Sequence, residues 1–297
     1  MGPAMNRRKL KSILLEIQYG RKLRKSTKKE RRTLVSEAYE AVRKLRSSQI
    51  EENVWRKVRK RRAGSSRRLV DALIMLCNHD SRVLEVGCGR GHTCSKLAPY
   101  VECIAGIDAS ESNVEEARGL LLEANITNFQ VYKALADSLP ECFAPQSFDK
   151  VMSIDVLEHL HPDDHLAHLS DAFELLRPGG CYIAIAPNRF TGPHDVTRII
   201  YPDATEPMGF HLNEFSYGDI VRDMKNIGFH NIRSPLPIWP LTPTISNKLL
   251  IPSKWFIRIE NTFLPVRHGS TLSLFYRKTL FRLLGVFVIG QKPFDQQ

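Results

Sequence analysis

Residues 84–92 read Leu-Glu-Val-Gly-Cys-Gly-Arg-Gly-His, with Gly87, Gly89 and Gly91 set between a short predicted strand, Arg82–Val86, and a helix-length stretch, 93–99. Few stretches of a chain are so constrained. Glycine tolerates a sharp strand-to-helix turn, and its missing side chain lets backbone N–H groups approach a ligand closely. The G-x-G-x-G spacing differs from the G-x-G-x-x-G of dinucleotide folds. Asp108 closes the next apolar run, Ile104–Ile107, where a carboxylate can accept two hydrogen bonds from vicinal ribose hydroxyls.

The same alternation continues down the chain. Asn128–Tyr132, Lys150–Ile154 and Cys181–Ala186 read as further strands, with helical stretches at 111–124 and 163–176. Strands separated by helix-length segments need crossover connections, which implies a parallel sheet covered on both faces. Asp219–Ile227 reads as a helix ended by Gly228, Asn231–Ser234 as a sixth strand and Gly285–Gly290 as the last. Residues 69–297 therefore form an α/β domain, with an insertion at 235–284 rich in Pro, Trp, Phe and Arg.

Charge separates what precedes this domain. Residues 1–68 hold 23 Lys and Arg against 6 Glu, while the remaining 229 residues hold 20 against 26, within a total of +11. The basic arm is also patterned. Leu10, Ile13, Leu14 and Ile17 share one helical face, and Leu34, Ala38, Val42 and Leu45 line another stripe. Ile50, Val54 and Val58, with Trp55 beside them, make a third. Thr27 with Glu30 and Ser48 with Glu51 have capping-box spacing. Two readings follow: a helical extension that packs on the body, or an arm drawn to an anionic partner, either a membrane surface or nucleic acid. The run Arg59-Lys60-Arg61-Arg62 serves either partner.

No window of eighteen apolar residues occurs and no secretory signal is expected, so the chain is read as cytoplasmic, or peripheral to a membrane. A hydrophobic content of 42% with 25% charged residues excludes wholesale disorder. Six scattered cysteines without a C-x-x-C pair read as reduced thiols rather than a zinc site.

Five stretches carry a family resemblance: Leu84–Gly91, Asp108, Ser147–Val151, Asp155–Leu160 and Leu176–Gly180. In this order and spacing, residues from about 69 to 234 resemble a class I S-adenosylmethionine-dependent methyltransferase, of the branch that includes ubiquinone- and menaquinone-biosynthesis enzymes. The resemblance implies a Rossmann-like, doubly wound, mostly parallel seven-stranded sheet with a reversed last strand. It implies S-adenosylmethionine as cofactor, its methionine portion cradled by Gly87, Cys88, Gly89 and Gly91 with Glu85 shaping the loop, and its ribose on Asp108 beside Ala109. Residues 134–137 border the adenine, with Ile154 completing the site. The acidic residue usual before the Leu-Pro of this turn is replaced by Ala134 and Leu135, which leaves Asp137 or the Ala136 backbone for the adenine contact.

Methyl transfer needs an aligned nucleophile and the removal of one proton, for which histidine is suited near neutral pH. His159, beside Asp155, follows the fourth strand, and His211 follows the fifth, so these three residues are the catalytic candidates; His194 is a weaker one. Packing or buttressing roles for both histidines remain open. Asp155, Glu158, His159 and His211 also resemble the metal pattern of some methyltransferases acting on RNA 3′ ends or quinone precursors, with Mg²⁺ as the ion. The same pattern occurs in relatives with no known metal, and no metal ligand is assigned. The fourth strand lacks the Asn/Asp-Pro-Pro signature of exocyclic-amine methylation, and no Pro-Cys nucleophile follows a core strand. O-methylation of a small-molecule, glycan or lipid-linked acceptor is the expectation. Alternatives are an RNA methyltransferase using the basic arm and a non-catalytic cofactor-binding scaffold. The insertion, with Trp239, Trp255, Phe256, Phe263, Phe275, Tyr276 and Phe281 among Lys254, Arg258, Arg267, Arg277, Lys278 and Arg282, is expected to recognise the acceptor.

Overall fold

The computed structural model describes residues 7–46, 69–235, 250–263 and 285–295. The third arm stripe, the second capping box, the Arg59–Arg62 run, and the aromatic and basic residues of the insertion at 236–249 and 264–284 lie outside them.

The arm begins with two helices, α1 (Arg7–Lys25) and α2 (Lys28–Arg46). Helix α3 (69–74) leads into β1 (Arg82–Val86), and α4 (His92–Leu97) follows the glycine turn. The alternation continues through β2 (Cys103–Asp108), α5 (Glu111–Glu123), β3 (Phe129–Lys133), β4 (Phe148–Ile154), α6 (Pro162–Leu175) and β5 (Leu176–Ala186). Then come a short α7 (Thr197–Ile200), α8 (Tyr217–Ile227), β6 (His230–Pro235), β7 (Leu250–Pro252), α9 (Lys254–Phe263) and β8 (Val286–Gln291).

Among the described residues these strands form one eight-stranded sheet, ordered β3-β2-β1-β4-β5-β8-β6-β7. Strands β1 to β5 pair in parallel, and β8 runs antiparallel between β5 and β6, which is the reversed last strand expected from the sequence. The expected count of seven falls short by one. Three residues of the insertion, Leu250–Pro252, add an antiparallel edge to β6, too brief to show a period. Helix α8 starts two residues before the expected Asp219, because Ser216 and Asp219 form a reciprocal capping box; it ends at Gly228, whose φ of 116° is glycine's territory.

Two apolar layers sandwich the sheet. Leu157, Leu169, Ile220 and Met224 belong to one, and Leu73, Leu97, Val114 and Leu121 to the other. The described part of the insertion packs on α8, away from the glycine turn. Phe256 stacks on Tyr217 at 4.7 Å, and buried Glu260 accepts hydrogen bonds from Tyr217 N at 2.9 Å and Asn188 Nδ2 at 2.7 Å.

The arm docks on the body. Its capping box is present, with Thr27 N donating to Glu30 Oε2 at 2.7 Å. Tyr19, Leu23, Ala38 and Val42 make a third apolar cluster with Phe210 of the body. Of the first expected stripe, Ile13 and Ile17 are buried while Leu14 stays exposed. Basic side chains pair with the body as well: Arg31 with buried Asp164, Arg43 with Glu116 and Asn113, and, at the surface, Arg32 with Glu141. Arg24 donates to the carbonyls of Pro207 and Met208 at 2.8 and 2.9 Å, and Gly20 gives α1 the close approach, since a Cβ there would lie 2.2 Å from Gly209 O.

A candidate cofactor and acceptor site under the arm

In parallel α/β sheets, ligands bind beyond the carboxyl ends of the strands where the order reverses. Here β1 lies between β2 and β4, and a cavity of about 210 Å³ opens at that point. Gly87, Asp108, Ala109, Ala136, Asp137, Asp155 and His159 line it, all singled out from the sequence. Its roof is the arm: Leu23, Arg31, Arg32, Val35 and Tyr39 close it from above, beside Phe210.

The glycine turn is tightly built. Gly87, Gly89 and Gly91 have φ of 69°, 53° and 72°, a left-handed region that strains other residues. At Gly87 a Cβ would meet Val156 Cγ2 at 2.4 Å, whereas at Gly89 it would enter open space. Gly91 faces Ala117 of α5, so its role is helix packing. Asp108 is held by both oxygens. Gly89 N donates to Oδ2 at 2.9 Å, and Ser110 N and Asn113 Nδ2 donate to Oδ1 at 2.9 and 3.0 Å. Glu40 of α2 reaches the same turn, accepting from Ser110 Oγ at 2.6 Å. An open glycine cradle beside a fixed carboxylate fits an adenosyl ligand bearing ribose hydroxyls.

The structure does not bring every sequence candidate into the cavity wall. Glu85 lies beneath the loop, where Cys94 Sγ donates to it at 2.6 Å, and burial pushes its carboxyl up to about 7. Cys88 is buried behind the turn, its N–H donating to Ile107 O at 2.8 Å. Ile154 ends β4 behind Asp155, and His194 turns away, with Nε2 near Thr191 Oγ1 at 2.6 Å.

Two histidines line the cavity, His159 and His161; His161 accepts from Asp163 N at 3.2 Å, and His159 is the sequence candidate. Its Nδ1 lies 3.0 Å from Phe210 O, which can only accept, so Nδ1 carries the proton and Nε2 its lone pair. Burial pushes its pKa down to about 3, with His211 adding to the shift. His211 stands behind it, the rings edge-to-face at 4.9 Å, and holds Glu214 Oε1 with Nδ1 at 2.7 Å. Buried Glu158 leaves Oε2 without a hydrogen-bond partner, and burial together with Asp155 drives its carboxyl well upward.

Glu158, His159 and His211 each offer one ligand atom, all within 4.8 Å of one another. Asp155 is not part of that group. One carboxylate beside two imidazoles does not fit magnesium, which prefers an oxygen shell.

Several site residues escape a sequence reading. Tyr39 lies against Phe210 and His159 at 4.9 and 6.0 Å between ring centroids, and its place on the Leu34–Val42 helical face is its only local signal. His168 is fully buried in α6, with Nδ1 donating to Ala136 O at 2.7 Å and Nε2 3.0 Å from both Ser153 Oγ and Tyr182 Oη. It anchors the 134–137 turn from behind.

Residues 83–180 match the family model described as a methyltransferase domain. An S-adenosylmethionine-dependent methyltransferase by name, from Mycolicibacterium smegmatis, is 28% identical over 148 residues, 50% of this chain and 51% of the relative. A ubiquinone biosynthesis O-methyltransferase from Chelativorans sp. is 32% identical over 111 residues, 36% of this chain and 41% of the relative. The chain thus spans about half the length, or less, of the curated relatives it matches. The crystal structure of YcgJ from Bacillus subtilis superposes with a TM-score of 0.51 at 19% identity, covering 75% of this chain and 97% of the other, a likeness of fold. The matched stretch, the strand order and the glycine turn agree: residues 83–180 are similar to the methyltransferase domain of class I S-adenosylmethionine-dependent enzymes.

Proposed function

We propose that the protein transfers a methyl group from S-adenosylmethionine to a hydroxyl oxygen of a small, glycan or lipid-linked acceptor. The observation that carries this reading is the position of His159: a neutral imidazole with Nε2 unprotonated, in the same cavity as Asp108 and Gly87.

Bound S-adenosylmethionine supplies a methyl group already activated as a sulfonium. The chain's part is binding, alignment and proton management. Asp108 accepts the ribose hydroxyls, the turn from Gly87 to Gly91 leaves room for the methionine end, and the 134–137 turn borders the adenine. His159 Nε2 accepts the hydrogen bond of the acceptor hydroxyl and orients its lone pair toward the methyl carbon. With the donor bound, its sulfonium would supply the methyl group and be left as a thioether, and His159 would take the hydroxyl proton. Tyr39, Leu23 and Val35 exclude water from above. Among the described residues the insertion contributes nothing to the cavity wall, so acceptor contact there falls to the arm and Phe210.

An RNA reading that uses the arm as a phosphate clamp is weakened by the pairing of Arg24, Arg31 and Arg43 with the body. The test is incubation of the full chain with methyl-labelled donor and extracts of lipids, glycans, small metabolites and RNA, followed by mass spectrometry. Label in an ether or ester oxygen of a non-nucleic-acid product supports the reading. Label in RNA, or donor binding without transfer to any fraction, overturns it.

A further inference from the structure

Helix α1 has two unlike faces. The inner one carries Ile13, Ile17 and Leu23, all buried, and roofs the cavity through Leu23. The outer one carries Lys11, Leu14, Gln18, Arg21 and Lys25 at successive spacings of three and four, a single outward stripe. All five are exposed. The sole acidic residue of the helix, Glu16, is buried and paired with Arg46. Among the described residues no carboxylate pairs with Lys11, Arg21, Lys22 or Lys25, and Lys22 lies over the Tyr19 ring at 5.2 Å.

This stripe borders a groove that is apolar at its floor. Leu14, Ile17 and Tyr201 line it between Arg21, Lys22 and Lys25. Leu14 is 48% exposed and Tyr201 44%, and Ile199, two residues before it, is 48% exposed. Asp203 and Glu206 follow Tyr201 in the chain and reduce the local charge, but the cations, Arg198 included, outnumber them. Exposed aliphatic and aromatic side chains ringed by unpaired cations match an anionic bilayer, where charge meets the headgroups and the apolar groups enter the boundary below them. No helix among the described residues is long and apolar enough to cross a membrane, so contact through this surface lies in the interface plane.

We propose that the outer face of α1, with Ile199 and Tyr201, docks on an anionic phospholipid surface. The inference stands apart from the methyl-transfer reading, since it rests on the face of α1 that turns away from the cavity. RNA meets the same cations but gains nothing from Leu14 and Ile199, which is why lipid is the occupant chosen.

The test is co-sedimentation of the full chain with vesicles of phosphatidylcholine alone and of phosphatidylcholine with phosphatidylglycerol. Binding is expected only to the second, falling as salt rises. An R21E/K25E double variant should bind at least about tenfold more weakly, and Leu14→Ser about threefold. Lys225→Glu, an exposed cation of α8, should bind as the wild type does. These positions are exposed, so an unchanged thermal unfolding midpoint separates lost binding from lost folding. Equal pelleting with both vesicles, no pelleting with either, or unaltered binding by R21E/K25E overturns the proposal. So does an R21E/K25E variant that loses RNA affinity while keeping its affinity for the vesicles.

Discussion

Arg31 and Asp164 form a two-pronged ion pair, Nε to Oδ2 at 2.6 Å and Nη2 to Oδ1 at 3.0 Å, with both side chains buried and 133 residues apart in sequence. The contact ties the first turn of α2 to the first turn of α6, directly over the cavity. A third bond, from Arg31 Nη1 to Ser26 O, fixes the link between the arm helices. Breaking such a pair on one side strands a buried charge, a loss on the order of 3 kcal/mol. Asp164→Ala and Arg31→Ala should therefore each lower the stability of the full chain in denaturant by about that amount. The double variant should lose less than the two single losses added, because neither charge remains alone. Strict additivity in the cycle would show that the pair does not couple arm to body.

Glu85 supplies a pH test with a definite sign. Its folded pKa, pushed up to about 7 by burial, lies above the ordinary carboxyl value of 4.5, so the folded state holds the proton more tightly than the unfolded chain. The stability this contributes is present at low pH and is lost as pH rises from about 4.5 through 7. His159 and His168, pushed down to about 3 and about 4, act in the opposite sense, losing stability as pH falls below 6.5. Glu85→Gln removes only the first contribution. Relative to the wild type, the variant should gain stability between pH 5 and pH 8, measured by urea unfolding at both. A difference that stays constant across the two pH values would mean that Glu85 ionises freely in the fold.

The sheet was legible because its signals are local. Arg82–Val86 is a strand buried from Val83 onward with glycines after it, and Asp108 sits at a strand end whose register pairs β1 with β2 residue by residue. The sequence also carried the arm's helices, through Thr27 and Glu30 and the 34/38/42/45 stripe. What it did not carry is where they dock. The apolar stripes show that a face is buried but not against what, and Arg31 has no local mark of its partner. For the same reason nothing local marks Tyr39 as a cavity residue, and the insertion expected to recognise the acceptor lies largely outside the described residues. His168 was hidden by its helix, since a histidine in an amphipathic stretch carries no local mark of its hydrogen-bond partners. Leu250–Pro252, three residues long, is too short to show a strand period, although Leu250 and Ile251 pack on the two apolar layers.

His168 holds the carbonyl of Ala136 from behind the adenine-side turn, and its other nitrogen meets two hydroxyls in a closed network. Burial keeps the ring neutral, which this arrangement of one donor and one acceptor requires. His168→Phe preserves bulk but leaves Ala136 O, Ser153 and Tyr182 short of a partner, a loss of about 2 kcal/mol. On the proposed placement of the donor's adenine against this turn, KM for S-adenosylmethionine should rise severalfold while KM for the acceptor stays unchanged. His168→Asn, whose amide can still reach a carbonyl, should recover part of that loss. A fall in kcat with both KM values unchanged would remove His168 from the cofactor side of the site.

His159 and His211 meet edge to face, but only His159 lines the cavity, so their variants should differ in kind. His159→Gln keeps an acceptor for the hydroxyl proton without a site that can take it up, and kcat should fall on the order of a hundredfold with donor affinity intact. The low pKa keeps the wild-type ring neutral from pH 5 to 8, so His159 adds no inflection to the rate in that window. The variant therefore lowers the pH–rate profile without changing its shape. His211 acts through His159, its own ring fixed by Glu214 Oε1 at 2.7 Å, and His211→Gln should cost less, by allowing the neighbouring ring to tilt. If isotope-labelled methyl groups reach the acceptor at the wild-type rate in both variants, neither imidazole manages the proton and the oxygen-transfer chemistry assigned to this cavity has lost its base.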